Sequence, residues 1–344
     1  MSASLASRTV SRTCPTCGAS YSDADFFCGV DGVVTVQDQD SADFDPRLGK
    51  QLGVYVVVAR VADGAMGRVY EGRHPETKAR VAIKVLHDHV VRDRVAVERF
   101  KREYETALEL SNPYIVKVHE FGQSPDQSYF MTMEYLEGAE LSKAIAQRKP
   151  LPFARIVRTV SQIALALEHA HAFGFIHRDL KPDNIFLCDT PTGTQVRVLD
   201  FGSVKLQVET GNKLTALGTT LGSPYYMSPE QATGSTAVDQ RSDVFALGAI
   251  LYELLTGKTA FEAPTVALIV MKILNQTPAP PSSINPAATA AIDAVVERAL
   301  RKDQNSRYAS ARAVGDGLIA ALGLQGSCEI WAEKPEAEVA SALA

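Results

Sequence analysis

No apolar run in this chain approaches the roughly 20 residues that a helix needs to span a bilayer. The best candidate, residues 244 to 255, is short and interrupted by Gly248 and Glu253. Basic charge is not in excess either. With 35 Lys and Arg against 40 Asp and Glu the formal net charge is −5, which gives no electrostatic reason to expect nucleic acid as a partner. Arg8 and Arg12 have no apolar core after them, so the start lacks the pattern of a signal peptide. A cytoplasmic protein is the expectation, and its five cysteines are then poor candidates for structural disulfides. The sequence has no internal repeat.

What is present reads as an ordinary globular chain, 46% hydrophobic and 22% charged. Its 344 residues suffice for one two-lobed domain plus something small, or for two average domains. Residues 1–13 are rich in Ser, Ala, Arg and Thr without a period and are expected to be disordered. Then comes Cys14-Pro-Thr-Cys17-Gly18 and, with ten residues between Cys17 and Cys28, Cys28-Gly-Val-Asp31-Gly32. A Cys-x-x-Cys-Gly turn points two thiolates at one place, and zinc takes four N, S or O ligands in a tetrahedron. The segment 14–36 resembles a zinc ribbon in which Asp31 stands where the fourth cysteine would sit. So short a segment builds little core without a staple, which favours Zn²⁺ at Cys14, Cys17, Cys28 and Asp31. The competing reading is free thiols beside an Asp31-Gly32 hairpin turn. Residues 37–47, acidic and polar with a proline, read as a linker.

Three blocks carry the chemistry. His177-Arg178-Asp179-Leu180-Lys181-Pro182-Asp183-Asn184 holds, within eight residues, an acid for a hydroxyl proton, a cation for a phosphate and an amide for a metal. Asp200-Phe201-Gly202 adds a second acid in a tight turn, and Val81-Ala82-Ile83-Lys84 puts a lysine on an apolar, β-type run. Phosphoryl transfer needs these parts: a group that positions the nucleophile, metal ligands, and cations on the phosphates. Their order and spacing match the protein-kinase motif set. The chain therefore resembles the bacterial eukaryotic-like (Hanks-type) Ser/Thr protein kinases, over about residues 48–323.

That resemblance implies an α+β, two-lobed fold. A small antiparallel sheet with one key helix would occupy 48–136, and a mostly helical lobe 137–323, with ATP in the cleft between them. Residues 324–344 are left as tail or linker. The helix read over 93–110 has an apolar stripe of Val97, Phe100, Tyr104, Ala107 and Leu108. A second amphipathic helix, 156–173, carries apolar residues at 156, 160, 163, 167 and 170.

The roles follow from the same resemblance. Val61, Ala62, Gly64 and Gly67 would belong to the hairpin over the nucleotide phosphates, with Ala62 in the place of the first glycine. Val69 and Ala82 would roof the adenine, Met133 would limit the back of its pocket, and the backbone of Glu134 and Leu136 would meet its edge. Lys84 would hold the α- and β-phosphates and pair with Glu103, whose rivals on the same helix are Glu98, Glu105 and Glu109. Asp179 would accept the substrate hydroxyl's hydrogen bond and Lys181 would reach the γ-phosphate. A lysine at that position is the Ser/Thr-kinase pattern. Asn184 and Asp200 would ligate Mg²⁺. His177 and Phe201 would pack beneath them, Asp243 would brace the catalytic segment, and Arg307 would pair with Glu230. Arg178, beside Asp179, would receive a phosphate formed by autophosphorylation at Thr215, Thr219 or Thr220. Ser223 stands where the family has a substrate-contacting threonine.

The expected function is Mg²⁺-ATP-dependent phosphorylation of protein Ser/Thr hydroxyls, including the kinase's own. The alternatives are a pseudokinase scaffold, supported only by Ala62 and the N-terminal module, and a zinc-dependent adaptor, supported by the three cysteines.

Overall fold

The computed structural model describes residues 12–22, 24–37, 45–64, 66–201 and 224–344. They fall into two compact units, one of residues up to 104 with 117–135, the other of 105–116 with 136–344.

Among the described residues, the first unit opens with a small antiparallel sheet. Its strands are β1 (Arg12–Thr13), β2 (Ser20–Tyr21) and β3 (Val36–Gln37), in the order β2-β1-β3. The expectation of disorder through residue 13 is thus corrected at its end. Arg12 is a strand residue, and it is almost wholly buried because its guanidinium has fixed oxygen partners.

A larger antiparallel sheet follows, in the order β4-β5-β6-β7-β9-β8. Its strands are β4 (Gln51–Leu52), β5 (Tyr55–Asp63), β6 (Gly67–Arg73), β7 (Arg80–Leu86), β8 (Val118–Gln123) and β9 (Tyr129–Glu134). Side chains alternate between the faces of a strand, and the chain uses this. Val81, Ile83 and Val85 of β7 join Val57, Tyr70 and Phe130 in a core closed by Leu48 and Leu52. On the other face, the register aligns Val69 with Lys84 and Met131, and Glu71 with Ala82 and Met133.

The segment read as a linker contributes to this unit at both ends, and residues 38–44 lie outside those described. Gln37 belongs to β3. Asp45 is buried and accepts a hydrogen bond from Tyr70 Oη at 2.8 Å. Arg47 reaches Asp88 at 3.0 Å and Asp126 at 3.1 Å. A short helix α1 (Asp88–Val91) leads to α2 (Arg94–Glu109). The buried positions of α2 include Phe100, Glu103 and Ala107, whereas Leu108, expected in the apolar stripe, is exposed.

The second unit carries an antiparallel sheet of β10 (Gly138–Glu140), β11 (Ile185–Thr190) and β12 (Gly193–Val198). Its helices are α3 (Leu141–Ile145), α4 (Phe153–Ala172), α5 (Pro229–Ala232), α6 (Arg241–Thr256), α7 (Val266–Asn275), α8 (Ala290–Ala299) and α9 (Ala311–Ala321). On α4, Ile156, Val160, Ile163, Leu167 and Ala170 are all fully buried, as a 3.6-residue period requires of one face. α6 is buried almost all round, which marks it as the central element of this core.

The last residues are not the tail or linker expected of them. α10 (Cys328–Glu333) and α11 (Glu336–Ala342) fold back onto α4. Trp331, Cys328 and Val339 form a second cluster with Ala154, Val157 and Ile319. Polar bonds fix the position: Gln162 Nε2 donates to Ala332 O at 2.8 Å, and Trp331 Nε1 to Gln325 O at 2.8 Å. No helix among the described residues is long and apolar enough to cross a membrane.

Candidate active site

The segment that holds Asp179, Lys181 and Asn184 lies between α4 and β11, and Gly174, at a left-handed φ of 77°, ends the helix before it. Within it, Lys181 Nζ lies 2.7 Å from Asp179 Oδ2. Asn184 Nδ2 donates to Asp179 O at 2.8 Å and approaches Asp179 Oδ2 at 3.3 Å. With the amide nitrogen occupied there, Oδ1 is the Asn184 atom left for a hard cation. Leu199 N donates to Asn184 O at 2.8 Å, tying the segment to the strand end that carries Asp200. Asn184 and Asp200 thus offer oxygen donors, the chemistry that Mg²⁺ prefers.

Buried groups beneath the segment fix its shape. Asp243, on α6, accepts His177 N at 2.8 Å and Arg178 N at 2.9 Å. It also meets His171 Nε2 at 2.8 Å. Burial pushes the Asp243 carboxyl up, but the His171 hydrogen bond and charge, then His177 and the Arg178 N–H, hold it below the usual carboxylate range. His177 bonds Leu199 O through Nε2 at 2.9 Å and accepts Asp179 N through Nδ1 at 3.3 Å, so Nε2 carries the proton. Its ring packs on Phe201 with centroids 4.8 Å apart.

Two residues of the site have left-handed backbone, Arg178 at φ 64° and Asp200 at φ 57°. Such conformations cost of order 1–3 kcal/mol each and persist only where neighbours enforce them. At Arg178 the enforcement is visible. Asp243 takes its N–H, and Gln231 Nε2 donates to its carbonyl at 2.6 Å. Gln231 was not singled out from the sequence. The signal was available: Ser228-Pro-Glu-Gln231 is a capping box at the start of α5. Behind it, Arg307 grips Glu230 with Nη1–Oε1 at 2.8 Å and Nη2–Oε2 at 2.7 Å. Burial raises the Glu230 carboxyl, and the bonds from Arg307 and Ser242 outweigh it, so the net shift is downward.

In the first unit, Lys84 Nζ lies 2.8 Å from Glu103 Oε1. Glu103 is buried, whereas Glu98, Glu105 and Glu109 are exposed, so one acid of α2 is distinguished from its rivals. Lys84, Val69, Ala82 and Met133 share a face of the sheet, the one opposite the Ile83 core. Val61 and Ala62 are exposed at the end of β5 and Ala62 pairs with Val69. Gly64 N donates to Gly67 O at 2.9 Å, closing the hairpin. Gly67 admits no side chain, since a Cβ there would stand 2.2 Å from Val85 O. Glu134 and Leu136 are half-buried, at the end of β9 and just beyond it. Thr215, Thr219, Thr220, Ser223 and Gly202 lie outside the described residues.

The three N-terminal cysteines converge. Ligand atoms of Cys14, Cys17, Cys28 and Asp31 all lie within 4.8 Å of one another. Cys14 and Asp31 approach to 3.4 Å, Cys17 and Cys28 to 3.6 Å, and Cys28 and Asp31 to 3.6 Å. A tetrahedral zinc site with bonds of 2.0–2.3 Å separates its ligands by about 3.5 Å. The two turns are alike. Thr16 and Cys17 N–H point at Cys14 Sγ, and Val30 and Asp31 N–H at Cys28 Sγ, all at 3.3–3.4 Å. Gly18 and Gly32 close them with φ of 73° and 67°. Asp31 therefore occupies in its turn the place that Cys17 holds in the other. The Cys28 thiol, pulled down by the Tyr21 hydroxyl and then by the Asp31 and Val30 N–H groups, stands at about 7.

The protein kinase domain family model matches residues 55–318, and the chain belongs to that family. Among curated relatives, the serine/threonine-protein kinase Pkn1 of Myxococcus xanthus is 40% identical over 279 residues, covering 81% of this chain and 40% of the relative. The kinase pkn3 of the same organism is also 40% identical over 279 residues, covering 79% of this chain and 50% of the relative. The chain thus spans half or less of the length of these relatives. The solved kinase domain of Mycobacterium tuberculosis PknI is 29% identical, with a TM-score of 0.64 over 80% of this chain and 99% of that one.

Proposed function

We propose that the chain is a Ser/Thr protein kinase that transfers the γ-phosphate of Mg-ATP to hydroxyls of protein substrates, itself among them. The observation that carries the reading is the contact of Asp179, Lys181 and Asn184 on a segment braced by Asp243. Asp179 accepts the hydrogen bond of the incoming hydroxyl and takes its proton as the oxygen attacks the γ-phosphorus. The bond from that phosphorus to the bridging oxygen breaks, and ADP leaves with the electron pair. Lys181 offsets the charge carried by the moving phosphoryl group, and Lys84, oriented by Glu103, holds the α- and β-phosphates. Mg²⁺, when held by Asn184 and Asp200, neutralises phosphate charge. Val61, Ala62, Gly64 and Gly67 cover the phosphates with backbone. Val69, Ala82, Met133 and the Glu134 and Leu136 backbone accommodate the base.

Arg178 supports a regulatory step. Its Nε is buried and has no hydrogen-bond partner among the described residues. We assign it to a phosphate on Thr215, Thr219 or Thr220. We also assign Zn²⁺ to Cys14, Cys17, Cys28 and Asp31, on the strength of the ligand spacing, and the cytoplasm as the compartment, where such thiols stay reduced. The catalytic domain in this reading covers 48–323, preceded by the zinc module.

Incubation with Mg-ATP followed by phosphosite mass spectrometry tests the reading. Phosphate on Ser or Thr, absent when Mg²⁺ is omitted, is the expected result. Nucleotide binding without any transfer would instead favour a scaffold. Metal analysis after purification without chelator should find one zinc per chain, and an empty module would remove the zinc assignment.

A further inference from the structure

β5 is irregular. Its register against β6 shifts between Val57 and Ala59, which leaves Val58 as a bulged residue without a partner on β6. Val58 is fully buried, and a buried carbonyl needs a donor. The donor comes from the N-terminal module: Arg12 Nη2 lies 3.0 Å from Val58 O. The same guanidinium is anchored inside the module, with Nε 3.0 Å from Thr35 Oγ1 and Nη2 2.8 Å from Thr35 O. Arg12 stands two residues before Cys14, on the strand that enters the metal-ligand turn.

A second grip holds the other turn. Lys78 Nζ, from the β6–β7 connection, donates to Gly32 O at 2.8 Å and sits 3.8 Å from the Phe27 ring centroid. Phe26 is flanked by the guanidinium carbons of Arg12 and Arg73, 4.6 and 4.5 Å from its ring centroid. The cysteine module is therefore fastened to β5 by Arg12, to β6 by Arg73 and to the β6–β7 connection by Lys78. These strands run directly into the Ala62–Gly67 hairpin.

We propose that the metal-loaded cysteine module is a clamp that fixes the Val58 bulge through Arg12, and that metal occupancy thereby sets the order of the phosphate-covering hairpin. This rests on the zinc assignment made above. The physical reason is the small size of the module. Its strands are only two residues long, so the metal supplies the rigidity that keeps the guanidinium in place. Without the metal, Arg12 gains freedom and the bulge carbonyl loses a fixed donor.

The test uses the whole chain, zinc-loaded or treated with a zinc-selective chelator in excess Mg²⁺. It reads amide hydrogen exchange over 55–63 and the KM for ATP. Chelation should speed exchange about tenfold, the scale expected for one buried acceptor losing its donor, and raise KM with a smaller change in kcat. Arg12→Ala should still bind one zinc, show fast exchange and raised KM from the start, and respond no further to chelation. Should Arg12→Ala fail to fold, Lys78→Ala cuts the exposed grip, and a partial shift in the same direction is expected. Zinc bound without any effect of its removal on exchange would overturn the clamp and leave the metal site intact. Absence of bound zinc would overturn both. The exchange readout stands whether or not phosphotransfer is found.

Discussion

Asp243 and Arg178 are joined backbone to side chain: the carboxylate accepts the Arg178 N–H at 2.9 Å while Arg178 sits in left-handed backbone. The residue just before Asp179 thus owes its conformation to a carboxylate 65 positions away. Asp243→Ala removes the acceptor for two buried N–H groups and the partner of His171. The expected loss is about 3–5 kcal/mol, as for breaking a buried charged pair. Thermal unfolding checks it, and kcat should fall with stability because Asp179 follows Arg178.

The same carboxylate predicts an acid response. An unfolded aspartate titrates near 3.9, and Asp243 in the fold titrates lower. Between those values the unfolded chain binds more protons, so stability is present above the unfolded pKa and is lost as pH falls through the folded one. Glu230 adds to this with the same sign. Urea titrations from pH 6 downward should show the loss, and Asp243→Asn should flatten it.

Arg307 is buried against Glu230 with two parallel bonds. Removing one partner strands the other's charge, so Arg307→Met should destabilise by about 3–5 kcal/mol. For a unit of this size each kcal/mol lowers Tm by roughly 2–4 °C. Replacing Glu230 and Arg307 together by apolar residues should cost less than Arg307→Met alone. A double-mutant cycle measures the difference.

Trp331 is the chain's one tryptophan and is buried between α10 and the α4 surface. Its fluorescence therefore reports on the C-terminal helices alone. Emission should be blue-shifted in the native protein and move red on unfolding. Trp331→Ala should cost about 3–5 kcal/mol. Native emission at the wavelength of free indole in water would contradict the packing of 324–344.

Where a pattern was long and periodic, it was readable in advance. The five apolar positions of α4 all point inward, and Glu103, which the kinase resemblance implies over three rival acids, is the buried one that meets Lys84. Leu108 marks the limit. It lies next to Ala107 on the sequence but on the outer side of the helix turn, so a count of apolar residues misplaced it. The final helices escaped because each is six or seven residues long, too short to display a period. Their stability comes from packing on α4, and the sequence alone does not disclose that partner. Arg12 escaped for a different reason. A charged residue in a polar stretch reads as solvated, and its burial rests on oxygen partners at Thr35 and at the bulged Val58, 23 and 46 residues away.

The most direct test of the account is phosphate incorporation from γ-labelled ATP with Mg²⁺, comparing the protein with Asp179→Asn and Lys84→Met. The unaltered protein should incorporate label, and both variants should fall by about 10²-fold or more, with folding unchanged by circular dichroism. Label that persists at full rate in Asp179→Asn would contradict it, because the acid in contact with Lys181 and Asn184 would then have no part in the transfer.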